Sequence, residues 1–433
     1  MEECKLYNNE ELIEFFQKSL IEYAKVNLQE DFKEENINKK INIESWFFNK
    51  HKKQLEKFNK IVETTNKKLH SLSIFQDVII HSSHYFEIPI YFSCDDYLEL
   101  NYSTRTASIC DENNHINYEL NSNPSPEFTL LMFNHLKRLY QKPIIDDNNF
   151  TAFDVLYNSI KDDYIFTSYP FHYSFNLKIT TQQPIDFQTF KKLSDAFLFQ
   201  VMLNCNIPCE YCLNILALLD INTGGYFKKK NLNILTTPPQ RIYHNHIIDY
   251  YSLALSSNEP FAQYLSYYHV LEYFFDEVFN ENLRKEFQNK ITHPNFSYKN
   301  NNELDKVIDF IKKETRDYKK NGQGNELESL KLVLKKFINR GELQKRLSPE
   351  QIEYYLKNKI SFSHAPTISF KDTEGFYNHL AQRIYQTRNA LVHSKEGNVG
   401  RYKPYQDSEE LSKEIPLIKL VAEQVIINSS TPL

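Results

Sequence analysis

Apolar positions recur at helical spacing from the start of the chain. Leu12, Phe15, Phe16, Leu20, Tyr23 and Val26 form one stripe and predict an amphipathic helix over 8–30. "SWFFNKHKKQLEKFNKIVETTNKKLHSL", 45–72, reads as a second helical stretch. The pattern then changes. Residues 74–120 are rich in β-branched and aromatic residues, and turn sequences such as "DENN" interrupt them. They predict several strands. A helix is expected over 127–141, a strand over 164–181, and a helix over 184–204 with Pro184 and Asp186 near its start. "LTTPPQRIYHNH", 235–246, holds the Pro-Pro pair and no periodicity, so the domain boundary falls there. Beyond it the strand-like segments stop. Helices are expected over 260–287, 302–320, 326–347, 348–359, 372–394 and 416–430, the fifth capped by Asp372 and stopped at Gly397. The outline is an α+β domain over 1–240 followed by an all-α domain over 246–430.

With 433 residues, two cores are the ordinary expectation. Fifty-one basic against 56 acidic residues exclude a chain that holds nucleic acid by bulk positive charge, so any such site is local. No apolar run reaches the length of a membrane span, and no signal-like segment opens the chain. The expectation is therefore a cytoplasmic protein with no membrane partner, and six cysteines without a regular framework fit a reducing compartment. Only eight glycines are present, and neither a phosphate-binding nor a dinucleotide-binding glycine loop is found. No cofactor is expected. Cys205, Cys209 and Cys212 include one C-x-x-C, half of the usual zinc pattern. They read better as buried free thiols on a helix following Pro208, with a fourth zinc ligand to be sought at Cys4, Cys94, Cys110 or a distant His. His81 and His84 would face opposite sides of a strand, which suits ordinary sheet residues.

Chemistry concentrates in the helical half. Phe261, Tyr264, Leu265, Tyr268, Leu271, Phe275 and Phe279 form one stripe, and Glu272 falls inside it. Such a carboxylate either reaches water at the stripe edge or pairs with a cation. Arg388 is the candidate cation. Its own helix has a buried stripe of Phe376, Leu380, Ile384, Thr387 and Leu391, which leaves Arg388 on the flank. Asn389 and His393, four apart, share a face, whereas Arg388 and His393 point about 140° apart on a straight helix. Converging all three on one phosphate requires a helix that ends early or a second copy across a dimer axis.

The segment "RNALVH", 388–393, resembles the R-(N/D/H)-x-x-x-H core of HEPN domains. "FAQYLSYYHVLEYFFDEVF" is similar to the first long helix of the Apea-like HEPN branch. The resemblance covers about 246–430 and not the N-terminal half. It implies a dimerising helical bundle acting as a metal-independent endoribonuclease of the antiphage, abortive-infection type. Arg388 would bind the scissile phosphate, His393 would act as general acid or base, and Asn389 would orient one of them, with Glu272 in support. The partners implied are an RNA substrate, a second copy of the chain, and a phage-derived trigger at the N-terminal domain. The alternatives are a HEPN fold that serves only as a dimerisation scaffold or binding module and, from another class, a nucleotide-modifying or nucleotide-sensing module.

Residues 311–345 hold ten Lys/Arg against five acids. Lys319, Lys320 and, beyond the motif, Lys395 are the candidate RNA-backbone contacts. A solvated helical face is the plainer reading of any single one of them.

Overall fold

The computed structural model describes residues 6–36, 41–92, 96–99, 106–121, 124–139, 175–214, 218, 228–231, 237–320, 326–392 and 401–433. The chain divides into two compact units, Met1–Pro239 and Gln240–Leu433. The first is α+β with an antiparallel sheet, the second predominantly helical.

In the first unit, helices α1 (Asn9–Asn27), α2 (Gln29–Glu35), α3 (Ile43–Lys50) and α4 (Lys52–Leu69) come before the strands. Asn8 and Glu11 form a capping box that starts α1. The single helix expected over 45–72 is two. The chain turns at His51, which is buried with its ring 4.9 Å from that of Phe47. Then follow β1 (Ser73–Phe75), β2 (Ile79–His81), β3 (Tyr85–Phe92), β4 (Asp96–Glu99), β5 (Thr106–Asp111), β6 (Ile116–Asn121), α5 (Pro126–Leu139), β7 (Phe175–Thr181), α6 (Phe187–Cys205), β8 (Cys209–Tyr211) and β9 (Lys228–Asn231). The "DENN" turn forms between β5 and β6, where the buried Asp111 carboxylate accepts the N–H groups of Asn113 and Asn114.

The sheet runs β1-β2-β3-β7-β6-β5, and β8 pairs with β3 beyond β2. Side chains alternate across β3, and both of its faces are covered. On one face, Phe86 stacks on Phe190 of α6 at 5.5 Å, and Tyr118 of β6 stacks on Phe197 at 5.5 Å. On the other, Glu87 is fully buried and accepts four hydrogen bonds. They come from Tyr85 Oη (2.5 Å), Ser125 N (2.9 Å), Ser125 Oγ (2.5 Å) and Asn176 Nδ2 (2.8 Å). Ser125 in turn caps the start of α5. Glu87 therefore fastens α5 to the sheet.

The second unit opens with a two-residue strand β10 (Arg241–Ile242), which pairs with β11 (Thr431–Pro432) at the other end of the unit. Periodicity does not predict this pairing, because two residues are too few to show alternation. Between them lie α7 (Asn245–Ser256), α8 (Pro260–Glu272), α9 (Phe275–Ile291), α10 (Asn301–Lys320), α11 (Glu326–Phe337), α12 (Arg340–Arg346), α13 (Pro349–Lys357), α14 (Thr373–Val392), α15 (Pro404–Ser412) and α16 (Ile415–Ser429). The long helix expected over 260–287 breaks at Tyr273–Phe274. There Phe274 N bonds tightly to Leu271 O, and its ring turns inward to Phe337 at 5.1 Å. Neither a glycine nor a proline marks this break. Phe274 is buried there against the rings of Phe337 and His244.

Helix α14 is the spine of this unit. Asp372 accepts the Gly375 N–H at 2.7 Å and caps it. Phe376, Leu380, Ile384, Thr387 and Leu391 are all buried, as their spacing requires. Buried with them is Arg383, which donates to Glu414 through Nε (2.8 Å) and Nη2 (2.7 Å). Its Nη1 donates to the carbonyls of Asn358 and Pro366, at 2.9 and 2.8 Å. The pair joins α14 to the start of α16 and to the loop after α13.

Arg383→Leu in the full-length chain is expected to lower stability by about 3–5 kcal/mol, because Glu414 is left buried and unpaired. Arg383→Leu with Glu414→Leu should recover most of that loss. A denaturation series checks this, and a double variant as unstable as Arg383→Leu alone would show that the two charges are not coupled.

Candidate functional site

Helices α8 and α14 cross in the second unit, and the Tyr264 hydroxyl donates to Ile384 O at 3.3 Å. The crossing sets the next polar residues of each helix against one another. Arg388 lies beside Tyr268, its guanidinium carbon 5.3 Å from the ring centre. Its Nη1 donates to Asn389 Oδ1 at 3.2 Å. Its Nη2 stands 3.4 Å from Glu326 Oε1 and 4.0 Å from Glu272 Oε1. Both Arg388 and Glu326 are nearly buried, with side chains 9% and 7% exposed.

The Glu272–Arg388 pair expected from the stripe is therefore present at the limit of ion-pair distance, and Glu326 is the nearer partner. Glu326 opens α11, and the Tyr268 hydroxyl donates to it at 2.6 Å. Burial and the neighbouring Glu326 carboxylate hold the Tyr268 hydroxyl far above its ordinary range, so it remains a donor. Glu272 sits at the mouth of the cluster, its side chain 38% exposed. His269 Nδ1 is 2.7 Å from Glu272 Oε2. A carboxylate only accepts, so Nδ1 carries the proton of this bond. That bond is the main reason the Glu272 carboxyl lies below its ordinary range. Arg388 adds to it, against the opposing effect of partial burial. Tyr250 of α7 packs on the His269 ring, with centres 4.9 Å apart and planes 30° from each other.

The result is a graded row: Tyr268, Glu326 and Arg388 inside, then Glu272 and His269 toward solvent. Two of its members, His269 and Glu326, and the flanking Tyr250 escape a reading of the sequence. The H-x-x-E spacing of His269 and Glu272 is a readable signal for a same-face pair on a helix. Glu326 and Tyr250 come from other helices, and nothing local marks them.

Asn389 follows Arg388 on α14 and accepts from its Nη1. His393 and Lys395 lie outside the described residues, as does the proposed stop at Gly397. Lys319 and Lys320 close α10. Two lysines of the basic stretch 311–345 are paired with acids from other segments. Lys335 meets Glu374 at 3.1 Å, and Lys336 meets Glu277 and Glu281 at 3.3 and 2.6 Å.

The cysteine reading needs correction. Cys205 ends α6, but Cys209 lies on strand β8, not on a helix. Asn206, in the left-handed conformation, stops the helix, and Cys209 then pairs with Phe92 of β3. Cys209 Sγ lies 3.6 Å from Leu198 O, and burial pushes the Cys212 thiol up. Cys4 and Cys94 are outside the described residues. Among the described residues, no three His, Cys, Asp or Glu side chains gather as metal ligands do. His81 and His84 do not share a strand either. His81 ends β2 against Phe187, and His84 lies in the turn before β3 with its Nδ1 3.3 Å from Thr181 O.

No helix among the described residues is long and apolar enough to cross a membrane. No family model matches this chain, and neither a curated protein nor a solved structure matches it.

Two double-variant cycles test the grading. Arg388 and Glu326 should couple by more than about 1 kcal/mol, and Arg388 and Glu272 by less than about 0.5 kcal/mol, since exposed pairs contribute little. Equal couplings would contradict the row. The lowered Glu272 pKa adds a pH signature. Its contribution is present above the unfolded carboxylate value, about 4.3, and is lost as pH falls through the lower folded value. The melting difference between wild type and Glu272→Gln should accordingly shrink below about pH 4. A difference that stays constant into strong acid would mean that Glu272 is not held low.

Proposed function

We propose that the helical unit is a HEPN-type endoribonuclease that cuts RNA without a metal, in antiphage defence of the abortive-infection kind. The observation that carries this reading is the Arg388–Asn389 pair beside Glu272, at the meeting of two aromatic-rich helices. Arg388 supplies a permanent, forked cation for a phosphate. With His393 as proton-transfer group, the ribose 2′-OH attacks its own phosphodiester and the 5′-oxygen departs. The products are a 2′,3′-cyclic phosphate and a 5′-OH. Two copies of the chain would set their motifs face to face, which resolves the divergence of Arg388 and His393 on one helix. A nuclease of this kind harms its host unless restrained, so the α+β unit is assigned the sensing of a trigger or the restraint of the cut.

A second reading has its own support. Arg388 is nearly buried and already faces two carboxylates, as expected of a residue that braces a non-catalytic dimerisation scaffold.

Purified wild type and His393→Ala are to be compared on a pool of tRNA, rRNA and mRNA in EDTA, with product ends mapped. Cleavage by wild type alone, leaving cyclic phosphate ends, is the expected result. Equal cleavage by both proteins would refute the assignment of His393. No cleavage by either would leave a nuclease awaiting its trigger or a scaffold, and would turn attention to the ligand of the α+β unit.

A further inference from the structure

Breaking an RNA linkage by 2′-OH attack needs two proton transfers, one from the 2′-oxygen and one to the departing 5′-oxygen. The motif supplies one histidine. Resting on the ribonuclease reading above, we propose that His269 is the second proton-transfer group of the same site and is the general acid that protonates the 5′-oxygen.

Three observations carry this. First, the ring is oriented. Glu272 accepts from Nδ1 at 2.7 Å and Tyr250 packs against the ring, so Nε2 is left as the working nitrogen. A base held by a carboxylate at its far nitrogen is the usual form of an imidazole that moves protons. Second, the ring is reachable. Its side chain is 44% exposed, and Nε2 has no hydrogen-bond partner among the described residues. Third, it is tied to the phosphate-binding candidate, because the two oxygens of Glu272 face His269 and Arg388 respectively.

Charge decides which role His269 takes. The groups facing it are Tyr250 from α7, Glu272 on its own helix, and through Glu272 the Arg388 guanidinium of α14 with Glu326 of α11 behind. Two carboxylates and one guanidinium leave the cluster one negative charge in excess, which repels a phosphodiester. A proton on His269 cancels that excess. The form that admits the substrate is therefore the imidazolium, which enters the reaction as an acid. In the step, His393 takes the 2′-OH proton, the 2′-oxygen bonds to phosphorus, and the P–O5′ bond breaks. The 5′-oxygen receives the Nε2 proton of His269. His269 ends neutral and His393 protonated, and exchange with water resets both.

The test uses an oligoribonucleotide that spans a mapped cleavage site, made with either a normal 5′-oxygen or a 5′-sulfur leaving group, which needs no acid. His269→Gln retains a polar side chain beside Glu272 but transfers no proton. It should slow the normal linkage about 100-fold or more and the sulfur linkage by less than about tenfold. His393→Ala should slow both. His269→Gln within about threefold of wild type on the normal linkage would overturn the proposal, as would equal slowing of both linkages, which marks a structural role. Cleavage that survives His393→Ala would instead overturn the ribonuclease reading and this assignment with it.

Discussion

The helical unit depends on the ion pair between Arg383 and Glu414. Both side chains are almost fully buried, and the guanidinium uses Nε, Nη1 and Nη2 to reach one carboxylate and two carbonyls. Its faces are flanked by Tyr354 and Tyr355, at 5.6 and 5.3 Å. A pair this deep adds little net stability over a well-packed apolar pair, since both ions lose their water. Its effect is on uniqueness. It sets the rotation of α14 about its own axis, because any other rotation leaves a guanidinium or a carboxylate alone in the core. Arg388 lies five residues further on, about 140° around the helix. Fixing Arg383 toward α16 therefore turns Arg388 toward α8 and α11. The tyrosines of α8 complete the alignment, Tyr264 at Ile384 O and Tyr268 at Arg388.

Much of this framework is written locally in the sequence. The stripe Phe376, Leu380, Ile384, Thr387 and Leu391 is legible in residue spacing alone, and so is the Asp372 cap. The β-branched and aromatic richness that marks strands over 74–120 is as plain. What escapes a linear reading is any feature whose cause lies far along the chain. Arg383 looks like a defect in an apolar stripe until Glu414, 31 residues later, is placed beside it. The break at Tyr273–Phe274 places a ring against Phe337, and no glycine or proline marks it in the sequence. Lys335 and Lys336 of the basic stretch at 311–345 are paired by Glu374, Glu277 and Glu281, which come from other helices. In each case a pairwise distance decides what composition leaves open.

Two buried carboxylates among the described residues have their acceptor sites taken up. Glu87 takes four hydrogen bonds from three residues and is closed to solvent. Glu414 is taken up by the bidentate Arg383. A buried carboxylate in that state has nothing left to offer a ligand, and its removal disturbs the fold rather than any chemistry. The Arg388 cluster is different. Among the described residues, the Arg388 guanidinium makes one hydrogen bond, to Asn389, while its two glutamates stand at 3.4 and 4.0 Å. Its donors are held near the right place without being saturated.

That partial saturation favours a ligand-binding role over a purely structural one. If Arg388 were only a brace, the lowest-energy arrangement would bring one carboxylate into a two-bond fork, as Glu414 does for Arg383 in the same helix. Instead two carboxylates share the guanidinium at longer range, and the outer one divides its oxygens between Arg388 and a half-exposed histidine. An incoming phosphate oxygen at Arg388 would displace only the 4.0 Å contact to Glu272, while Glu326 and Tyr268 kept the side chain in place from behind. Such a site retains its cation without consuming it, which is the requirement for stabilising charge that develops on another molecule. The same α14 helix thus carries one arginine whose hydrogen bonds are spent on the fold and another, five residues on, whose hydrogen bonds are still available.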